Sequence, residues 1–292
     1  MPMTLADRIT AYEKLIRLDK PIGTLLLLWP TLWALWLSSA GQPNAWITWI
    51  FVLGTVLMRS AGCAFNDFAD RDFDGRVTRT RERPLAAGLI KPAEALLVAA
   101  VLALMAFALV LRLNALTIKL SVAALVIAAI YPFTKRFFAL PQAVLGVAFG
   151  FGIPMAFTAH NNYLPPVAWM LLAANVFWAI AYDTEYAMVD REDDRKLGIR
   201  TSALTLGRYD VTGVMVSHAL FLAILAFVAP RCHLGIYFYA GLVAAALLVA
   251  KQYTMIRERD PDGCFRAFRQ NNWVGAAVFA GIVAHFYLPS PF

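Results

Sequence analysis

Residues 46–75 read WITWIFVLGTVLMRSAGCAFNDFADRDFDG, a long apolar run that leads directly into a dense group of carboxylates. A helix of about 20 apolar residues crosses the hydrocarbon core of a bilayer, and residues 46–66 have that length. The carboxylates that follow are Asp67, Asp70, Asp72 and Asp74. Ionised groups at the end of a membrane helix are costly unless they are compensated. The stretch therefore predicts a membrane helix that ends in a cation-binding site.

The composition extends this prediction to the whole chain. Of the 292 residues, 60% are hydrophobic, and the mean hydropathy is +0.62. A soluble domain is roughly 45–50% apolar. We therefore predict a single all-α polytopic membrane domain over residues 1–292, with about nine transmembrane helices. The predicted spans are 22–38, 46–66, 93–111, 114–131, 138–159, 165–187, 211–229, 235–252 and 271–288. Pro30 and Pro154 fall inside two spans, where proline usually kinks the helix.

The distribution of basic residues predicts the orientation. The chain has 26 Lys and Arg residues, and all but four lie in the N-terminal segment or in the loops on that same side. The exceptions are Arg59, Arg112, Lys119 and Arg231. The positive-inside rule then places the N-terminus in the cytoplasm and the C-terminus outside. Orientation and anionic lipid account for the net charge of +7, so we predict the lipid bilayer and no nucleic acid as a partner.

Two acidic clusters carry the predicted chemistry. Asp67, Asp70 and Asp74 are spaced i, i+3, i+7, which places them on one helical face, and Asn66 precedes them. The second cluster consists of Asp183, Asp190 and Asp194, spaced i, i+7, i+11, with Tyr186 beside them. We predict that it also shares one helical face. Oxygen-only ligand sets suit Mg²⁺ or Mn²⁺ rather than zinc, and Mg²⁺ completes its coordination with waters and substrate phosphates. We therefore predict that Mg²⁺ and a diphosphate lie between the clusters.

Basic residues close to these clusters indicate an anion site. The first cluster is followed by Arg76, Arg79, Arg81 and Arg83, and the fourth predicted span is followed by Lys135 and Arg136. Arg and Lys bind phosphate oxygens through charge-assisted hydrogen bonds. Arg59 lies inside the second span, seven residues before Asn66 and hence on nearly the same face. We expect Arg59 to face an internal cavity, because a charge at the bilayer centre costs about 2.5–3.5 kcal/mol on insertion scales.

At these residues the sequence resembles the UbiA superfamily of intramembrane prenyltransferases. The first motif reads NDxxDxxxD over residues 66–74, and the second reads DxxYAxxDxxxD over residues 183–194. The strings NDFADRDFDGRVTRTRERPLAAG, DTEYAMVDREDDRKLGIRTSAL, LDKPIGTLLLLWPTLWAL and YPFTKR are similar to the 4-hydroxybenzoate polyprenyltransferase branch, which makes ubiquinone precursors. The resemblance implies helices around a central cavity open sideways to lipid, in a bacterial inner membrane. It also implies Mg²⁺-dependent transfer of a polyprenyl group from polyprenyl diphosphate to 4-hydroxybenzoate, ortho to the hydroxyl.

Roles for individual residues follow from this resemblance. The implied metal ligands are Asn66, Asp70, Asp74, Asp183, Asp190 and Asp194. The implied substrate-binding residues are Asp67, Arg83, Lys135, Arg136, Tyr186, Arg59 and Arg17. Either Asp190 or Asp183 deprotonates or orients the phenol, and Arg136 adds charge stabilisation. The aromatic carboxylate needs a cation, for which Arg136 and Arg17 are both candidates.

Three alternatives remain at the level of the sequence. A related prenyltransferase would use a naphthoate, homogentisate or haem acceptor. A phosphatidyltransferase of the CDP-alcohol type also uses clustered Asp, but all in one segment, whereas these clusters lie over 100 residues apart. A transporter would place its acids near the bilayer midplane rather than at helix ends. The sequence leaves the prenyl chain length and the oligomeric state open.

Overall fold

The computed structural model describes residues 4–289, which are helical with connecting turns and contain no strand. Residues 1–3 and 290–292 of the predicted domain, and with them the predicted placement of the two chain ends, lie outside this range. The helices are α1 (Leu5–Leu15), α2 (Ile22–Ser38), α3 (Ala45–Asp74), α4 (Pro92–Val110), α5 (Ala115–Thr134), α6 (Pro141–Gly150), α7 (Gly152–Asn161), α8 (Pro166–Val189), α9 (Arg191–Leu197), α10 (Ser202–Leu206), α11 (Asp210–Val228), α12 (Ile236–Ile256) and α13 (Pro261–Tyr287).

Most of the bundle is long and apolar enough to cross a membrane. Seven helical segments meet both criteria, with α6 and α7 counted as one segment and α10 and α11 as another. Of the remaining predicted spans, Ile22–Ser38 is apolar but has only 17 residues, and α13 begins with charged turns. The prediction of an all-α polytopic membrane fold around a central cavity is confirmed, and the count of nine spans stays a prediction.

Helix α3 carries the first acidic cluster. It begins at the cap residue Asn44, whose side chain accepts hydrogen bonds from the N–H groups of Trp46 and Ile47 at 2.9 and 3.1 Å. Such a cap satisfies N–H groups that have no partner within the helix. The helix continues to Asp74, eight residues past the end of the predicted span. The acidic cluster therefore lies on regular helix, as its spacing predicts.

The second acidic cluster is divided between two helices, so the prediction of one continuous helical face is wrong. Helix α8 ends at Val189, and Asp190 leaves helical geometry with φ −95° and ψ 6°. The chain then starts again as α9, whose first turn contains Glu192, Asp193 and Asp194. Acidic residues stabilise the positive end of a helix dipole, so this acidic run favours a new helix start.

The two internal prolines have different consequences. The span that contains Pro154 is divided at Phe151 into α6 and α7, because proline has no N–H to donate to the carbonyl of Gly150 four residues earlier. Pro30 lies inside α2, which is assigned as one continuous helix.

A cluster of buried aromatic rings joins α2, α8 and α11. Trp33 and Trp178 lie 5.3 Å apart between ring centroids, and Phe221 stacks on Trp178 at 5.6 Å. None of the three side chains is more than 1% exposed. Aromatic pairs at such distances contribute about 0.5–1.5 kcal/mol beyond the area that they bury. This packing fixes the part of α8 that precedes the second acidic cluster.

Candidate active site

A cavity of about 540 Å³ lies inside the bundle. Apolar side chains of α2 to α7 form most of its wall, and Tyr182, Asp183 and Tyr186 of α8 line one end. Its wall includes Leu104, which is 66% exposed, and Leu125, which is 45% exposed. The cavity therefore reaches the apolar outer surface between α4 and α5, where lipid chains would contact the protein.

A second, polar cavity of about 160 Å³ adjoins the first. Five residues line both cavities, namely Asn66, Arg83, Tyr131, Asp183 and Tyr186. The acidic residues of the polar cavity are Asp70, Asp74, Asp183, Asp190 and Asp194. The structure thus brings both predicted clusters to one chamber, although they are distant in sequence. The five shared residues form the neck between a polar chamber and an apolar one.

Arginine side chains compensate the charge of two acids on α3. Arg17 Nη2 donates to both Asp67 oxygens, at 2.8 and 2.9 Å. Arg83 Nη1 donates to Asp67 Oδ1 at 3.1 Å and to Asp74 Oδ2 at 2.8 Å. Arg83 thus bridges two carboxylates. Asp67 is 1% exposed and lines the apolar cavity, whereas Asp74 lines the polar one.

Asp70 has one paired and one unpaired oxygen. Oδ2 forms an ion pair with Lys135 and accepts a hydrogen bond from Asn66 Nδ2 at 3.0 Å. Oδ1 is buried and has no hydrogen-bond partner among the described residues. A buried polar atom without a partner costs about 1–3 kcal/mol, so this oxygen is a candidate for binding a cation.

Asp190 of the second cluster is bound by Arg79, which lies in the turn-rich segment that follows α3. Arg79 donates to Asp190 from Nε at 3.0 Å and from Nη2 at 2.5 Å. The same guanidinium lies 4.3 Å from the ring centroid of Tyr186. Burial and, second, the neighbouring Asp190 carboxylate raise the pKa of Asp194 to about 7. Because the neighbouring carboxylate contributes to this raised pKa, an added cation in the chamber would be favourable.

The donor chemistry of the polar cavity fits Mg²⁺. Among residues 4–289, no three His, Cys, Asp or Glu side chains converge closely enough to hold a metal ion, and basic side chains pair with four of the acids. The chamber nevertheless offers five carboxylates and the amide oxygens of Asn66 and Gln142, and oxygen ligands of this kind are the ones that Mg²⁺ prefers. The unpaired Asp70 Oδ1 supports the same conclusion.

Arg59 faces the apolar cavity, as its position in the sequence predicts. Its Nε is buried and has no hydrogen-bond partner among residues 4–289. Its guanidinium lies against the backbone of α2 at Gly23, where an added Cβ would be 2.4 Å from Nη2. Arg17 lines the same cavity but already pairs with Asp67. Arg59 is therefore a half-buried cation that an anionic group of a ligand could reach.

The structure does not bring Arg136 into either cavity. Its side chain is exposed, donates to the backbone carbonyl of Ala69 at 3.0 Å and lies 5.2 Å from the ring centroid of Phe133. Conversely, sequence reasoning did not single out Arg79, which is one of several arginines in a basic loop. The only available signal was its closeness to the first acidic cluster, since its partner Asp190 is 111 residues away.

Comparison with known proteins defines the family. Residues 27–283 match the UbiA prenyltransferase family. The chain belongs to this family. It is 64% identical over 281 residues to the 4-hydroxybenzoate octaprenyltransferase of Nitrosomonas europaea, covering 96% of each chain. It is 63% identical over 288 residues to the enzyme of the same name from Thiobacillus denitrificans, covering 99% of this chain and 98% of that one. A member of this family with such helices is an integral membrane protein.

Solved structures of UbiA proteins share the fold. The apo structure of a UbiA homologue from Aeropyrum pernix K1 has a TM-score of 0.79 and 26% identity, and covers 92% of this chain and 98% of that one. A UbiA homologue from Archaeoglobus fulgidus, bound to GPP and Mg²⁺, has a TM-score of 0.66 and 18% identity. It covers 95% of this chain and 100% of that one. The all-helical architecture of this chain is therefore that of UbiA proteins.

Proposed function

We propose that this UbiA protein transfers a polyprenyl group from polyprenyl diphosphate to the ring of 4-hydroxybenzoate, ortho to the hydroxyl, with Mg²⁺ as cofactor. The product would be a precursor of ubiquinone. One observation carries the proposal: two carboxylate clusters line one polar chamber, and that chamber joins an apolar cavity that reaches the lipid surface. The name shared by its relatives from Nitrosomonas europaea and Thiobacillus denitrificans supports this acceptor.

The proposed location is the bacterial inner membrane. The concentration of Lys and Arg on one side supports an orientation with the N-terminus and the polar chamber facing the cytoplasm and the C-terminus outside. This orientation gives water-soluble 4-hydroxybenzoate access to the polar chamber, while the prenyl chain stays within the bilayer.

The polar chamber is the proposed diphosphate site. The residues proposed to hold Mg²⁺ are Asn66, Asp70, Asp74, Asp183, Asp190 and Asp194. When bound, Mg²⁺ would supply Lewis-acid stabilisation of the charge on the departing diphosphate. Arg83, Lys135 and Arg79 line the same chamber, so the N–H groups that they do not donate to the aspartates could bind the diphosphate oxygens.

The neck between the chambers is the proposed place of reaction. The C1–O bond of the prenyl diphosphate breaks there, and its electron pair leaves with the diphosphate. The allylic carbon then forms a bond to the ring carbon ortho to the phenol, and the ring proton leaves to a base. Asp183 lines both cavities and is the proposed base, whereas Asp190 lines only the polar one. The apolar wall excludes water, which would otherwise capture the cation.

Arg59 is the proposed partner of the acceptor's carboxylate. Of the two cations considered from the sequence, Arg17 is engaged by Asp67, and Arg136 lies outside both cavities. Arg59 lines the apolar cavity with an Nε that has no partner among residues 4–289, and Tyr186 lines both cavities as part of the neck. The ring of the acceptor would then lie next to the allylic carbon.

The test is product formation in membranes that contain the protein. Mass spectrometry should detect prenylated 4-hydroxybenzoate, and EDTA should abolish it. Asp70→Ala and Asp190→Ala should each lose at least about 99% of the rate, since removing a single group that stabilises developing charge costs about 10²–10³ in rate. Asp72→Ala is the matched control, because Asp72 lies on the same helix but its side chain is 68% exposed.

Two outcomes would contradict the proposal. Full activity of Asp70→Ala or Asp190→Ala in correctly inserted protein would refute the assignment of the metal site. Prenylation of a naphthoate, homogentisate or haem in place of 4-hydroxybenzoate would leave the fold and metal site intact but would change the acceptor.

A further inference from the structure

Asp67 differs from the other acids of its helix in what surrounds it. Its Oδ1 accepts from Arg17 and Arg83, and its Oδ2 accepts from Arg17. It does not line the polar chamber to which Asp70 and Asp74 belong. Although it is part of the acidic motif, its two oxygens are already used by guanidinium groups. A metal ion could reach it only by displacing both arginines.

The charges around the apolar cavity explain why an acid is needed at this position. Three arginines line this cavity, Arg17, Arg59 and Arg83, and the acids that line it are Asp67 and Asp183. Guanidinium groups in a poorly hydrated place repel one another, and each requires hydrogen-bond acceptors. Asp67 is the acceptor that two of the three share.

Arg17 reaches Asp67 from the end of α1. Its backbone lies in the left-handed region, with φ 57°, which costs a residue other than glycine about 1–2 kcal/mol. Its side chain is only 12% exposed although it follows an exposed surface helix. The left-handed conformation belongs to the end of α1, where the N–H of Leu18 donates to the carbonyl of Glu13 at 3.2 Å. The guanidinium is held at the cavity wall by the bonds of Nη2 to Asp67 and of Nη1 to the carbonyls of Lys14 and Leu15.

The bond to Asp67 also orients Arg83. A single nitrogen, Nη1, contacts both Asp67 and Asp74. Nε and Nη2 of Arg83 form no hydrogen bond within residues 4–289, so these groups could donate to an anion in the chamber that Arg83 lines. Asp67 thus acts together with Asp74 in orienting the guanidinium of Arg83.

We propose that Asp67 is a positioning residue rather than a metal ligand: balanced by Arg17 on the side of the apolar cavity, it holds Arg83 at the neck so that Arg83 receives the diphosphate of the prenyl donor. This inference rests on the proposed function, because it takes the diphosphate as the anion. It predicts that loss of the Asp67 charge weakens donor binding and leaves the metal site unchanged.

The experiment compares Asp67→Asn with Asp70→Asn, two isosteric changes on one helix. Mn²⁺ alone is titrated into detergent-solubilised protein, and the bound ion is measured by the loss of the free-ion EPR signal. In a second assay, KM and kcat for the prenyl diphosphate are measured at saturating Mg²⁺. Asp67→Asn should raise KM about tenfold or more with unchanged Mn²⁺ affinity, since each lost charged hydrogen bond costs at least this factor. Asp70→Asn should weaken Mn²⁺ binding about tenfold or more.

A second variant separates positioning from folding. In Asp67→Asn/Arg17→Gln one charge of each sign is removed, so the cavity keeps its charge balance even if the single variant does not fold. The double variant should bind Mn²⁺ like the unmodified protein and keep the raised KM. Weaker Mn²⁺ binding in either Asp67 variant would overturn the proposal, and so would an unchanged KM. Failure of the unmodified protein to bind Mn²⁺ or turn over the donor would instead reject the proposed function.

Discussion

At the residue scale, the contact between Arg59 and Gly23 links a helix backbone to the proposed acceptor site. The guanidinium of Arg59 fills the space that a side chain at position 23 would occupy. Glycine at this position therefore lets a cation of α3 lie against α2. The flexible end of Arg59 is the group that would move if this space were lost.

This contact gives a prediction that leaves Arg59 itself in place. Gly23→Ala should displace the guanidinium and raise KM for 4-hydroxybenzoate about tenfold, the factor expected for a lost hydrogen bond to a charged group. Mg²⁺ dependence and KM for the donor should not change. Gly54→Ala is the control, because Gly54 lines the same cavity but has nothing within 4 Å of an added Cβ. Equal effects of both substitutions would argue against a specific role of Arg59.

Neighbouring residues show what the sequence can and cannot predict at this scale. Spacing within the acidic motif correctly places Asp70 and Asp74 on one buried face of α3. Lys135 and Arg136 look equivalent in the sequence, but consecutive residues of a helical turn point about 100° apart. Lys135 therefore enters the polar chamber, and Arg136 lies on the outer surface. The direction of a side chain past a helix end depends on the tertiary fold.

At the element scale, α12 and α13 pack with their backbones in close approach. A Cβ on Gly241 would lie 2.8 Å from the carbonyl oxygen of Ala277 and 2.8 Å from the Cα of Gly281. Backbone atoms cannot move aside as the end of a side chain can. Small residues at such crossings are how membrane helices come into close contact without a hydrophobic driving force between them.

This crossing predicts a purely structural effect. Gly241→Val should destabilise the protein by about 1–3 kcal/mol, the usual cost of overpacking. The measurement is the midpoint of unfolding in detergent. Gly62→Ala serves as the control, since nothing lies within 4 Å of a Cβ at that position. An unchanged midpoint for Gly241→Val would mean that the two helices do not cross this closely.

Element boundaries divide into those set by local chemistry and those set by the rest of the fold. The break at Pro154 follows from a missing N–H and is visible in the sequence. The break at Asp190 is different, because the sequence spacing of the acidic residues is the same for one continuous helix as for two shorter ones. Arg79 holds Asp190 from a segment 111 residues earlier, and no local pattern includes that contact.

At the scale of the whole molecule, the orientation in the membrane can be tested with cysteines. Tyr163 and Arg76 are exposed in loops at opposite ends of the bundle. In a variant without Cys63, Cys232 and Cys264, Tyr163→Cys should react in intact cells with a membrane-impermeant maleimide. Arg76→Cys should react only after the membrane is opened. The positive-inside distribution is the reason for this expectation. The reverse labelling pattern would invert the proposed topology.

The architecture was predictable only in part. Hydropathy identifies the apolar helices because the bilayer requires a fixed length of apolar chain. The cavities were not predictable from the residues alone, since they arise where helices distant in sequence fail to fill the space between them. Residues from α2 to α8 and from α13 surround the larger one, and no periodicity reveals which of their faces meet.

The side opening of the apolar cavity bears on selectivity for substrate size. Leu104 and Leu125 form part of the cavity wall and also of the outer surface, so the chamber has no closed end on that side. A donor whose tail outgrows the cavity can continue into the surrounding lipid. Such a site would not select donors by the length of the prenyl chain. The number of isoprene units in the product would then be determined by the enzyme that synthesises the donor.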